Sequence, residues 1–171
     1  MKNEALYNYV LHMGDDSLVL GQRLGEWCGH GPILEEDIAM TNISLDLIGQ
    51  AMSLLDYAAE IEGQGKDHDA LAYLRFENQY RNVLLVEQPN GDFADTMMRQ
   101  FLFDAFRKPL YEKLTASNDA QIAAIAENFH QTAITISAQE YLKKFYESHG
   151  FIQTSETYLE DDIPHIEMKK V

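Results

Sequence analysis

Along the first 117 residues, apolar positions recur every three or four residues and are interrupted by glycine and proline clusters. That is the pattern of successive amphipathic helices. Leu6, Tyr9, Val10, Met13, Leu20, Leu24 and Trp27 predict one helix over about 4–28, stopped by Gly29-His30-Gly31-Pro32. A second helix, 34–61, opens on Glu35-Glu36-Asp37, acids that suit the positive end of a helix dipole. It carries two apolar stripes: Ile38, Leu45, Ile48, Met52, Leu55 and Ala59, then Leu47, Ala51, Leu54, Ala58 and Ile61. A narrow polar strip, Asn42, Asp46, Gln50, Ser53 and Glu60, lies between them. A helix this apolar is expected to be buried on much of its circumference. A third helix is predicted over 68–86 from Leu71, Leu74, Val83 and Leu84. After the turn Pro89-Asn90-Gly91, Asp92 caps a fourth through Phe93, Met97, Phe101, Ala105 and Leu110, with a kink or break near 105–109 at Pro109.

The pattern changes after Ser117-Asn118-Asp119. A short helix over 120–130 precedes Ala133–Ser137, which is β-branched and alternating and reads as a strand. Tyr141–Ser148 returns to helix and ends at Gly150. Phe151–Thr154, Glu156–Leu159 and His165–Met168 read as short strands, with Asp161-Asp162 turning between the last two. The expected class is mainly α over 1–118, followed by a small α/β tail over 119–171.

Composition narrows the partners. Apolar and aromatic residues make up 46% of the chain, enough for a core. The net charge of −15 repels phosphate backbones and anionic lipid heads, so neither nucleic acid nor membrane is expected as a partner. No apolar run approaches the ~20 residues of a membrane span, and the first residues lack a signal-peptide pattern. The single cysteine, Cys28, cannot form an intrachain disulfide and sits in an apolar pattern beside Trp27. A reducing, cytoplasmic setting is expected.

The second helix has the character of a metal-bundle core helix. A di-iron bundle uses Glu-x-x-His pairs, because i, i+3 spacing puts both side chains on one face. Here that spacing carries Leu47 and Gln50: leucine offers no donor atom, and an amide substitutes poorly for imidazole. Asp46 is rotated about 100° from Leu47 and cannot replace the missing carboxylate. Asp46 and Gln50 are instead expected to hydrogen-bond each other or a neighbouring helix. None of His12, His30, His68, His149 and His165 completes Glu-x-x-His; His130 has that spacing to Glu127, but at the end of the short helix predicted over 120–130 and not on the second helix. Glu26, Cys28 and His30 are close in sequence, but Gly29 breaks the helix between them. No phosphate loop, dinucleotide fingerprint or nucleophile elbow is present. Trp27–His30 and Leu84–Gly91 read as a helix end with a packed aromatic and a tight turn.

Several blocks together resemble the C subunits of phenylacetyl-CoA epoxidases. They are Gly14–Leu20, Gln22–His30, Leu45–Ala51, Leu84–Gly91 and Phe93–Thr96, within about residues 4–126. The resemblance implies a ferritin-like helical bundle, here truncated. It implies a non-catalytic structural subunit that lacks iron ligands and pairs with a di-iron catalytic subunit. Iron is then expected in that partner and no cofactor in this chain, with Leu47 and Gln50 standing where a catalytic relative places Glu and His. From about residue 133 the chain is instead similar to the C-terminal end of ElaA-type acetyltransferases of the GNAT fold, through Ile136–Gln139, Lys144–Phe151 and Glu160–Ile166. In that fold a tyrosine at the place of Tyr146 protonates the leaving thiolate, which makes N-acetyltransferase activity the alternative function. The family's pyrophosphate-binding loop and most of its sheet are absent. Packing with Leu142, one turn away, offers Tyr146 a purely structural role. Each part lacks elements that would cover its apolar faces, so self-association of residues 1–117 is expected.

Overall fold

The computed structural model describes residues 3–130 and 134–170. They form two compact units, Met1–Ala126 and Glu127–Val171. In the first unit, Asn3 caps α1 (Glu4–Gly25) by accepting the Leu6 N–H. Helix α2 (Leu34–Glu62) follows and ends at Gly63, whose φ of 67° gives the left-handed stop. The two helices pack antiparallel and closely. A Cβ on Gly14 would stand 2.9 Å from Leu55, and one on Gly21 would stand 3.2 Å from Ile48 and 3.3 Å from Leu47. Ser44 Oγ donates to Gly21 O at 2.6 Å across the same seam.

The predicted third helix is not continuous. Helix α3 covers only His68–Tyr73, a single 3-10 turn covers Glu77–Gln79, and α4 covers Leu84–Glu87. The break has a cause in α1. Asp15 accepts the Arg81 N–H at 2.8 Å, and Asp16 accepts the Val83 N–H at 2.8 Å. Backbone donors that a helix would have used internally are drawn to two buried carboxylates.

Helix α5 (Phe93–Leu114) starts from a reciprocal cap between Asp92 and Asp95 and continues through Pro109 without the expected break. Pro109 and Ala105, whose carbonyl loses its helical donor, are both exposed, so the lost bond falls on the solvent side of the helix. The buried face of α5 is Thr96, Arg99, Gln100, Phe103, Arg107 and Tyr111, whereas Phe101 and Phe106 are exposed. The arginines win burial because oxygen acceptors await them: Arg99 donates to the Gln88 carbonyl at 2.7 Å, and Arg107 to the Tyr111 hydroxyl at 2.6 Å and to the Met13 carbonyl at 3.4 Å. Tyr57 donates to Asp119 at 2.7 Å, and Asp119 also accepts the Ile122 N–H at the start of α6 (Ala120–His130).

The second unit is a four-stranded antiparallel sheet. Strand β4 (Ile163–Lys170) pairs with β1 (Ile134–Gln139), β2 (Ile152–Gln153) and β3 (Tyr158–Glu160). Ala133, the first residue of the predicted strand, lies outside the described residues. The predicted helix over 141–148 divides into a 3-10 turn, Glu140–Leu142, and α7, Lys143–Ser148. Asp161 and Asp162, at φ of 51° and 62°, make the turn from β3 to β4. Ala138, Ile166 and Met168 form the core, with Ile136, Tyr146 and Phe151 packed against them.

Candidate functional site

Leu47 is 5% exposed and packs into an apolar cluster with Leu20 and Leu24 of α1, Val86 of α4 and Phe103 of α5. These neighbours offer hydrocarbon and no donor atom, so an iron pair does not fit at this position. Gln50 is half-buried, one turn on from Asp46. The expected bond between them does not form. Asp46 faces solvent, where water satisfies it and no protein partner is required. Of the remaining polar strip, Asn42 and Glu60 are exposed, and Ser53, half-buried, donates to Gly49 O at 3.1 Å. The strip is therefore mainly a solvated border and not a buried seam.

The expectation that α2 is buried on much of its circumference is also corrected. Its second stripe is buried at Leu47, Ala51, Leu54 and Ala58. Its first stripe is buried only at Leu55 and Ala59, while Ile38, Leu45, Ile48 and Met52 are 40–60% exposed. By length and composition α2 is apolar enough to cross a membrane, contrary to the sequence expectation. Core helices pass the same test, and its buried residues pack within the first unit.

The buried polar chemistry lies on α1 instead. Asp15, fully buried, is gripped by both terminal nitrogens of Arg75, with Nη1 at 2.9 Å from Oδ2 and Nη2 on Oδ1. Asp16 lies 3.7 Å from His12 Nε2. Burial pushes the Asp16 carboxyl above its ordinary range, with the Val83 N–H and then His12 pulling it back. Both Asp15 oxygens are committed to Arg75, and Oδ2 also takes the Arg81 N–H. The two carboxylates therefore clamp residues 75–83 to α1. Acids at 15 and 16 inside an apolar helical pattern, with arginines far along the chain, were the signal that could have announced this clamp.

The Trp27 region is a second lock. Trp27 Nε1 donates to Thr96 Oγ1 at 3.1 Å, and Thr96 donates to Asn90 O at 2.8 Å. Asn90 Nδ2 donates to Arg23 O and Glu26 Oε2, while Arg99 donates to Asn90 Oδ1 at 2.6 Å. The turn at 88–91 thus joins the end of α1 to the start of α5. Cys28 is exposed, in the turn that follows the end of α1. Glu26 is committed to Arg23 and Asn90, and His30 Nδ1 lies 3.1 Å from Cys28 O. Among the described residues, no three His, Cys, Asp or Glu side chains group as a metal site. In the second unit Tyr146 is half-buried, edge-on to Phe145 at 5.2 Å and to Phe151 at 5.7 Å.

Comparison with known proteins agrees with this helical geometry. The family described as phenylacetic acid catabolic protein matches residues 1–133. The chain belongs to that family. The C subunit of the 1,2-phenylacetyl-CoA epoxidase of Escherichia coli (strain K12) is 58% identical over 118 residues, covering 69% of this chain and 47% of the relative. The chain thus spans about half the length of that relative. An acetyltransferase (GNAT) domain matches residues 116–171. A UPF0039 protein of Schizosaccharomyces pombe is 53% identical over 34 residues, 20% of this chain and 23% of the relative. Family membership covers the helical unit, and the GNAT resemblance covers the tail.

Proposed function

We propose that the helical unit is a non-catalytic structural subunit of a phenylacetyl-CoA 1,2-epoxidase in aerobic phenylacetate degradation. It pairs with the di-iron catalytic subunit through protein contacts and binds no metal of its own, the iron residing in the partner. A cytoplasmic setting goes with this role. The observation that carries the reading is Leu47, buried in hydrocarbon on the helix where the resemblance calls for a ligand. Family membership and the identity to an epoxidase C subunit support the pathway. The test is co-expression with a full-length catalytic subunit followed by affinity capture and size-exclusion chromatography. Co-elution in a complex is expected; separate elution would sink the reading.

The GNAT match supports a second reading, N-acetyltransferase activity from residues 134–170 with Tyr146 as the acid. Against it stand the missing pyrophosphate loop and the packing of Tyr146 beside Phe145 and Phe151. Calorimetric titration with acetyl-CoA separates the two: no binding heat is expected, and saturable heat would favour the transferase.

A further inference from the structure

The first stripe of α2 is used at one end and open at the other. Leu55 and Ala59 are buried, and the short helix α3 lies beside them with Leu71 and Ala72 buried. Where α3 ends, a notch of about 150 Å³ opens between Met52, Ile48, Ala72 and Tyr73. Beyond it the stripe continues without cover through Ile48, Leu45 and Ile38 to Leu34, which is 72% exposed. These positions fall within about 80° of arc on a helical wheel, and Leu34 to Met52 spans roughly 27 Å, about five turns. A straight apolar stripe of that length, already seating one helix at its end, is shaped for another.

Charge selects the occupant. Helix α2 contains Glu35, Glu36, Asp37, Asp46, Asp56, Glu60 and Glu62, and no lysine or arginine. Glu35 and Asp46 border the open stripe on one side. A second copy of this chain laid α2 on α2 would set these acids against their like, which is destabilising. We propose that the open stripe docks an amphipathic helix of a partner polypeptide whose apolar face is flanked by lysine and arginine. The surface stands on its own geometry and does not depend on the epoxidase reading.

The probe is a labelled helical peptide of about 18 residues, with a leucine stripe flanked by lysines. A peptide with the same stripe flanked by glutamates is the control. The full chain is titrated with each by fluorescence anisotropy. Saturable binding of the lysine peptide is expected, with the glutamate peptide at least about tenfold weaker. The double substitution Leu45→Asp and Ile48→Asp is the discriminating variant. It makes the surface more acidic, so diffuse attraction would strengthen, whereas docking on the stripe loses about tenfold or more. A second variant, Glu35→Lys with Asp46→Lys, leaves the apolar stripe intact and is expected to reverse the peptide preference. Equal binding by wild type and the Asp double variant would overturn the proposal. So would light scattering that shows a stable homodimer dissociated by that variant, since a second copy would then be the occupant.

Discussion

Asp15 is a carboxylate with no exposed surface in the middle of an apolar helix, a placement that costs several kcal/mol unless partners answer it. Arg75 and the Arg81 N–H are those partners. Replacing either Asp15 or Arg75 by alanine strands the other charge and is expected to cost about 3–5 kcal/mol in urea denaturation. The double variant should lose less than the sum of the two, the signature of coupling. Leu47 makes the opposite case. Restoring a Glu-x-x-His pair by Leu47→Glu with Gln50→His puts a carboxyl among Leu20, Leu24, Val86 and Phe103. The outcome should be lower stability without iron uptake, read by thermal melting and metal analysis, because burying an unpaired carboxylate is unfavourable and no neighbour completes a site. A pH effect belongs to His68. Its Nδ1 lies 2.7 Å from Asp56 Oδ1, and this bond raises its pKa above the usual 6.5. The stabilisation is therefore full below about pH 6.5 and is lost as pH rises through the raised folded value. Asp56→Asn should lower the melting temperature at about pH 5.5 and matter progressively less toward about pH 8.5.

At the scale of elements, the third predicted helix and the buried face of α5 show where periodicity stops informing. Helices α1 and α2 were legible because their apolar spacing is regular and glycine ends them. Residues 68–86 carry the same spacing, yet Asp15 and Asp16 take the N–H groups of Arg81 and Val83 from more than sixty residues away. No local pattern announces such a claim on the backbone. Helix α5 was read by its aromatics, but Arg99 and Arg107 are the residues with carbonyls to reach, so Phe101 and Phe106 are left outside. The tail's strands were legible in number, and the turn at Asp161-Asp162 was legible in place, though the sequence did not reveal its handedness. Both aspartates sit at positive φ, which suits an asparagine–glycine pair better. The double substitution Asp161→Asn with Asp162→Gly should stabilise the hairpin by about 1 kcal/mol, measured by thermal unfolding or hydrogen exchange of β3 and β4.

For the whole molecule, the decisive contrast is between a core and a surface. The place on α2 suggested for metal chemistry is filled with hydrocarbon, while the flank of the same helix exposes an acid-bordered apolar stripe. That arrangement suits a polypeptide that works by contact. The sequence made the empty ligand pair visible through two residues, Leu47 and Gln50. It did not make the open stripe visible as such, because exposure depends on which neighbours are present and both stripes of α2 look alike on a helical wheel. The most direct test of the central claim is iron analysis of the purified full chain after anaerobic incubation with ferrous ion and desalting. The account predicts iron at background level and no oxygen consumption. Stoichiometric iron retained by the chain alone would contradict it.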